Sequence, residues 1–349
     1  MSMRSDRSRV AAVLDAVGRT AFLLVVAVAM CIAAAPALAA EPLAACPFRL
    51  PTPDVSIIHT VAQQRITQWR AQLKLPAREL ETRLAMADYA INLLLRANRM
   101  EASGQEQAAR KLRDFVRRTL PDTDWRIQFN ARQGDLGAIE ARIGWLRSLG
   151  GAAMTTDVCA LAARGELAGG AESAYRMAFC VRSRDDMLKH MMRASDRGHA
   201  AAMEVSGRLC LAGKLSASCS LQRLCLAAQA GRVGAAGSIG WHLTGLDEAQ
   251  ASKDGGAWLQ RAAEVNDPIA QNNLGEWHER HGAAAGRTMA LVWYRKAAAS
   301  GLPAAMVNAA RLLSLGDDRQ CREARTLLLQ ASKSGLAQAA EWVAELSCS

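Results

Sequence analysis

One short pattern recurs along most of this sequence at a nearly constant interval. It has the form Ala-Ala/Ser-x-x-Gly, and its clearest copies occupy residues 227–231, 262–266, 297–301 and 331–335, with Asn replacing Gly in the second. A good copy ends at position 198, and weaker ones end at 134 and 165. The end positions 134, 165, 198, 231, 266, 301 and 335 are separated by 31, 33, 33, 35, 35 and 34 residues. Such a period indicates one supersecondary unit per repeat.

Each unit has the pattern of two helices. Residues at intervals of three and four, such as Ala290, Trp293, Tyr294 and Ala297, predict an amphipathic helix that ends at the pattern. Gly or Asn at the last position suits a left-handed helix cap. A composition that is 50% hydrophobic but only 5% aromatic also favours closely packed helices. One hairpin cannot bury its apolar face alone, so the chain is predicted to be an all-α, α/α solenoid of stacked helix-turn-helix repeats of 31–35 residues.

The sequence divides into three predicted regions. Residues 1–40 are basic at first, then apolar, and end in small residues around Ala37 and Ala39, as in a secretory signal peptide. Residues 41–133 are predicted to form helices over 57–73, 77–99, 105–120 and 124–132, as capping hairpins or as a small separate domain. Residues 134–349 are the predicted solenoid, with a capping helix at the C-terminus.

Two alternatives would connect the N-terminus to a membrane. The uncharged, mostly apolar stretch from Thr20 to Ala40 is about 20 residues long, which is enough to span a bilayer if it is not cleaved. Residues 43–46 also resemble the lipobox of bacterial lipoproteins, in which Cys46 would be lipidated. The small residues ahead of Glu41 favour cleavage, so the predicted location is the periplasm or the exterior of a bacterial cell.

Residues 270–275 and 290–301 carry a family resemblance. They read Ala-Gln-Asn-Asn-Leu-Gly and Ala-Leu-Val-Trp-Tyr-Arg-Lys-Ala-Ala-Ala-Ser-Gly, which resembles the Sel-one-like repeat family, a relative of the tetratricopeptide repeat. The resemblance is firm over about 200–340 and weak over 134–199. The family's Tyr after Leu-Gly is absent, and Gly286 stands where its turn usually has Asp.

The resemblance implies a protein-binding surface along the first helix of each unit. Helical spacing places the third, seventh, tenth and fourteenth residues after each repeat end on one face, with the sixth beside them. Amides and charged groups in line across the units could hold an extended peptide. The predicted partner-binding residues are Arg208, Trp241, Asn272, Asn273, Glu276, Asn308 and Arg311.

Eight cysteines follow the predicted signal peptide, which favours disulfides in an exported chain. Cys210 and Cys219 flank one turn, so that a bridge between them is sterically reasonable. Cys321 and Cys348 map to the same edge of adjacent units and could also pair. Eight cysteines allow 105 complete pairings, so the connectivity remains open.

No catalytic constellation is found. The histidines in the sequence His278-Glu279-Arg280-His281 are three residues apart, whereas a zincin motif needs four. A G-x-S-x-G motif is absent, and residues 234–240 resemble a packed helix more than a phosphate loop. We therefore predict no enzymatic activity, no cofactor and no metal. Trp258 and Trp293 are predicted to be core residues.

The net charge of +10 comes from 43 basic and 33 acidic residues, without a basic tail or aromatic interleaving that would indicate nucleic acid binding. Two functions fit these features. The first is a non-catalytic periplasmic or cell-envelope scaffold that binds another protein through its solenoid. The alternative is an envelope lipoprotein or accessory enzyme that binds peptidoglycan or an anionic polysaccharide.

Overall fold

A computed structural model of the chain describes residues 46, 55–73, 79–149, 153–213, 220–246, 249–282 and 285–346. The predicted signal peptide lies outside these ranges, and of the lipobox-like residues 43–46 only Cys46 is described. The chain divides at Pro47 into two units, and the helices below belong to the second, Phe48–Ser349. No helix in the described ranges is long and apolar enough to cross a bilayer.

The described part of the chain is made of α-helices and contains no strand, as the repeat pattern predicts. The helices are α1 (Val55–Gln72), α2 (Glu79–Ala102), α3 (Glu106–Thr119), α4 (Asp124–Arg132), α5 (Leu136–Leu149), α6 (Ala153–Leu167), α7 (Ala171–Met177), α8 (Arg184–Asp196), α9 (Ala200–Leu211), α10 (Ser220–Gln229), α11 (Val233–Thr244), α12 (Ala249–Glu264), α13 (Pro268–His281), α14 (Gly286–Ala299), α15 (Pro303–Leu313), α16 (Asp318–Lys333) and α17 (Ala337–Glu345).

From α5 onward each helix packs mainly on its neighbours in sequence, which is the packing of an α/α solenoid. The four helices predicted before residue 133 are confirmed as α1 to α4, within three residues at each end. They pack less regularly, because α2 contacts both α3 and α5. Ala141 and Trp145 of α5 share a buried cluster with apolar residues of α1 to α4. The boundary at residue 133 remains a prediction.

The repeat ends adopt the left-handed caps that the sequence predicts. Gly198, Gly231, Gly301 and Gly335 have φ between 86° and 94°, and Asn266 has φ 64°. At Gly301 two hydrogen bonds close the helix: its N–H donates to the Ala298 carbonyl at 2.9 Å, and the next N–H donates to the Ala297 carbonyl at 3.2 Å. This pair of bonds is the Schellman motif, and it turns the chain into the next unit.

The repeat end assigned to position 165 is wrong. Gly165 lies inside α6, and the left-handed cap is at Gly169, with φ 91°. Gly165 is small for another reason: a Cβ atom there would approach the Ser173 Oγ to 2.1 Å. Gly104 adopts the same cap as the repeat ends. The caps at 104, 134, 169, 198, 231, 266, 301 and 335 are therefore 30, 35, 29, 33, 35, 35 and 34 residues apart, which widens the repeat to 29–35 residues.

We expect these caps to respond in opposite ways to two substitutions. Gly301→Ala should lower the free energy of unfolding by about 1 kcal/mol, because a Cβ disfavours positive φ even where no other atom is near. Asn266→Gly should raise it by a few tenths of a kcal/mol, since it removes the same strain. Urea denaturation would measure both. A loss of stability in Asn266→Gly would contradict this account of the cap.

A disulfide joins Cys159 in α6 to Cys180, just after α7. Cys210 and Cys321 are also disulfide-bonded. The partners that the sequence suggests for them, Cys219 and Cys348, lie outside the described residues, so those pairings remain predictions. Cys46 is disulfide-bonded as well. A sulfur in a disulfide cannot carry a thioether-linked lipid, which argues against the lipoprotein alternative.

Candidate functional site

A groove of about 600 Å³ runs across the first helices of three consecutive units, α9, α11 and α13. Three of the predicted partner-binding residues line it, namely Arg208, Trp241 and Asn273. Trp241 is 42% exposed and Ile269, also in the lining, is 51% exposed. The groove thus presents two large apolar side chains to solvent between polar groups, a combination that suits ligand recognition.

Two glycines of α11, Gly234 and Gly237, lie one turn apart, and both line the groove. A Cβ atom on Gly234 would approach Arg208 Nη2 to 2.6 Å. Instead Arg208 lies over this glycine, where it donates hydrogen bonds to the Gly234 carbonyl at 2.9 Å and to Ser238 Oγ at 2.8 Å. Its ion pair with Glu204, at 2.8 Å, further fixes the guanidinium on the groove wall.

Glu276 does not line the groove but contacts a residue that does. It forms an ion pair with Arg280, one turn further along α13. The Arg280 guanidinium lies 5.6 Å from the centre of the Trp241 ring, within the range of a cation–π interaction. Glu276 therefore positions Arg280 against Trp241 and is absent from the lining itself.

The other predicted residues contact each other between two neighbouring units. Asn308 Nδ2 donates to Asn272 Oδ1 at 2.9 Å, which joins α15 to α13. Arg311 forms an ion pair with Glu279 at 2.5 Å. These three predicted residues lie outside the lining of the groove. Their hydrogen-bonding groups are partly used within the solenoid, so their geometry is that of residues that align adjacent repeats.

The Tyr294 hydroxyl belongs to the same contact between α13 and the following helices. It donates to Glu279 at 2.7 Å, while its ring packs against Gly275. Burial and the hydrogen bond to Glu279 raise the pKa of Tyr294 well above its ordinary value. The hydroxyl is therefore protonated at any physiological pH.

The sequence analysis missed a second group of polar residues, which lies near the N-terminal end of the solenoid. Glu101, in the last turn of α2, accepts from Arg113 at 2.5 Å, from Arg147 at 2.6 Å and from Arg176 at 3.0 Å. These arginines lie on α3, α5 and α7, so that one carboxylate connects four helices. A negative charge in the last turn of a helix interacts unfavourably with the helix dipole. The position of Glu101 near the end of α2 is therefore the one sequence feature that could have indicated a cationic partner.

The environment of Glu101 keeps it ionised. Burial by itself would raise its pKa, but the hydrogen bond from Arg147 and the charges of Arg176 and Arg113 hold the pKa well below the ordinary 4.5. Arg176 also bonds the nearby Glu172 through Nε at 2.6 Å. Because each charged group of this cluster is paired with another within the protein, the cluster is best described as a structural ion-pair network.

His199 and Glu172 form a buried pair beside that network. His199 Nδ1 accepts the Ala202 N–H at 3.3 Å and so caps α9, which places the ring proton on Nε2, 3.0 Å from Glu172 Oε2. Burial alone would raise the pKa of Glu172, but the charge of Arg176 and the His199 hydrogen bond hold it at about 2. Both ring nitrogens of His199 and both carboxylate oxygens of Glu172 therefore have a partner within the protein.

Metal-binding residues do not cluster in the described part of the chain: no three His, Cys, Asp or Glu side chains there could hold an ion together. His278 and His281 end α13, and both pack near Trp277. Trp258 and Trp293 are each 7% exposed, which confirms them as core residues. Residues 234–240 lie within α11, as expected for packing glycines.

No protein-family model matches the chain, and no curated protein sequence matches it either. Among solved structures, a Sel1 repeat protein from Oxalobacter formigenes aligns with 86% of this chain and 95% of its own, at 16% identity and a TM-score of 0.45.

Proposed function

We propose that this protein is a non-catalytic scaffold of the bacterial periplasm or cell envelope that binds an extended segment of another protein. The observation that carries the proposal is the groove on α9, α11 and α13, where Arg208, Trp241 and Asn273 line one continuous surface. Trp and Arg are the residues that most often dominate binding energy at protein interfaces. Asn273 is able to hydrogen-bond the backbone of an extended peptide.

The size of the groove agrees with a peptide ligand. About 600 Å³ lies within the range of pockets that enclose a ligand of a few residues. Ile269 and Trp241 offer apolar contact area, while Arg208 and Arg280 are held in place by Glu204 and Glu276. A preformed wall lowers the entropy cost of binding. One peptide side chain would pack against Trp241, and the flanking backbone would run along α11 past Arg208.

A selection from a random peptide library tests this proposal. The wild-type protein is expected to enrich peptides that bind saturably. Trp241→Ala should weaken those peptides by at least about tenfold, since a central aromatic anchor contributes about 2 kcal/mol or more. Leu226→Ala is the matched control: Leu226 is 44% exposed but lies on the second helix α10. Failure to enrich any peptide, or equal binding by both variants, would contradict the proposal.

Export is tested separately by intact mass spectrometry of the protein from its native envelope. We expect a chain that begins at Ala40 or Glu41, because cleavage would follow the small residues around Ala39. Its mass should increase on alkylation only after reduction, since Cys159 and Cys180 are disulfide-bonded. A chain that retains residues 1–39 would contradict signal-peptide cleavage without affecting the binding proposal.

A further inference from the structure

A second cleft, of about 550 Å³, lies between α2 and the starts of α7 and α9. It is distinct from the groove of the preceding subsection, with which it shares no lining residue. Glu140 of α5 lies in this cleft, and Arg96 and Arg99 of α2 line it too. Both arginines are exposed, whereas Glu140 is only partly exposed.

Glu140 differs from the other largely buried carboxylates of the described chain. Four of them are 5–16% exposed and each contacts at least one arginine, namely Glu101, Glu166, Glu172 and Glu204. Glu140 forms no ion pair with any described residue. Its Oε1 accepts two long hydrogen bonds, from the Ser173 N–H at 3.3 Å and from Ser173 Oγ at 3.4 Å. Burial of a carboxylate without a cationic partner is costly, which makes this position an exception that needs an explanation.

The surrounding groups leave Glu140 without such a partner. The basic side chain whose charge acts on Glu140 is His199, at the N-cap of α9, and its two ring nitrogens already bond Ala202 and Glu172. Glu172 adds negative charge, although Arg176 compensates it. Burial accordingly raises the pKa of Glu140, and the nearby Glu172 acts in the same direction. An ammonium group bound beside Glu140 would act in the opposite direction and favour the ionised carboxylate.

The cleft also contains two arginines that lack an acidic partner among the described residues. Arg96 and Arg99 are three residues apart on one helix, and neither forms an ion pair with a described residue. The cleft therefore has one unpaired carboxylate and two unpaired guanidiniums in its lining. A ligand that carries both an ammonium and a carboxylate would complement both kinds of charged group.

We propose that this cleft binds a zwitterion, either a free amino acid or a short peptide, with its ammonium at Glu140 and its carboxylate at Arg96 and Arg99. Glu140 is suited to an ammonium because it accepts hydrogen bonds and carries the only unpaired negative charge of the lining among the described residues. The volume admits a molecule of one to three residues.

Calorimetric titration of the purified protein with alanine, trialanine, N-acetyl-trialanine and trialanine amide tests this site. We expect saturable binding of alanine or trialanine. Binding should fall about tenfold or more on N-acetylation or in Glu140→Gln, since a hydrogen bond between charged groups is lost. The C-terminal amide, or a variant with both Arg96→Gln and Arg99→Gln, should also bind more weakly. Stronger binding of alanine would indicate free amino acids as the ligand, and stronger binding of trialanine would indicate peptides.

The controls separate this site from the peptide groove and from misfolding. Glu140→Gln should fold at least as stably as the wild type, because an uncharged amide suits the buried position. Glu106→Gln, which changes an exposed glutamate, and Trp241→Ala should both leave zwitterion binding unchanged. Absence of saturable binding by alanine and trialanine up to 10 mM, or unchanged affinity in Glu140→Gln, would overturn the proposal.

Discussion

Gly240→Ala is expected to lower the free energy of unfolding by about 3 kcal/mol, the upper range for overpacking in a rigid site. An added Cβ would approach the Gly255 carbonyl oxygen to 2.9 Å and Leu259 Cγ to 2.8 Å. The contact is reciprocal, because a Cβ on Gly255 would lie 2.8 Å from the Gly240 carbonyl oxygen. Helices α11 and α12 therefore meet backbone to backbone, and neither can yield to a new methyl group as a flexible side chain would.

Gly237→Ala, three residues earlier on the same helix, is the matched control. There the nearest atom to an added Cβ is the Ala270 Cβ at 3.4 Å, an ordinary contact. Replacement of a glycine inside a helix by alanine should then raise the free energy of unfolding by about 0.5–1 kcal/mol. Urea denaturation of both variants measures the difference. Equal effects would contradict the close packing of α11 on α12.

Glu101→Gln is expected to lower the free energy of unfolding at pH 7 by about 3 kcal/mol, the lower range for loss of one partner in a buried ion pair. Three arginines, Arg113, Arg147 and Arg176, would lose their shared carboxylate. Glu101 is 16% exposed, so solvent compensates only a small part of that loss. Glu79→Gln provides the control: its ion pair with Arg83 is about half exposed, and we expect an effect below about 0.5 kcal/mol.

The effect of Glu101→Gln should depend on pH. The pKa of Glu101 in the folded protein is below its unfolded value of 4.5, so its ionisation stabilises the fold above about pH 5. As the pH falls from about 5 toward 2, that contribution is lost, because the unfolded chain takes up the proton first. The stability gap between wild type and variant should therefore shrink across this interval. A difference in stability that stays constant from pH 7 to pH 3 would show that the charge of Glu101 does not stabilise the fold.

The sequence was sufficient to predict the helical repeat because its signals are local. The caps at Gly198, Gly231, Gly301 and Gly335 each require positive φ, and a short pattern marks that need. The wrong repeat end at Gly165 also arose because the prediction used only a local pattern. Glycine there serves close packing on Ser173, a non-local demand that looks identical in the sequence. The caps at Gly104 and Gly169 lack the alanine pair and were missed for that reason.

The candidate site was only partly predictable. Helical spacing placed Arg208, Trp241 and Asn273 on one face, and the structure brings them into one groove. Spacing could not tell that Asn308 would bond Asn272 across a unit boundary, since this depends on the separation of two helices. The network at Glu101 joins residues as far apart in sequence as Glu101 and Arg176, and no periodic pattern encodes such a contact.

Site-specific photo-crosslinking in cells tests most directly whether the first-helix groove is the binding surface. A photoreactive phenylalanine analogue would replace Ile269 in the groove or Leu226 on the second helix α10, which are 51% and 44% exposed. We predict a discrete adduct with another protein from position 269, weakened by Trp241→Ala, and none from position 226. Adducts from position 226 alone, or equal adducts from both positions, would contradict the account.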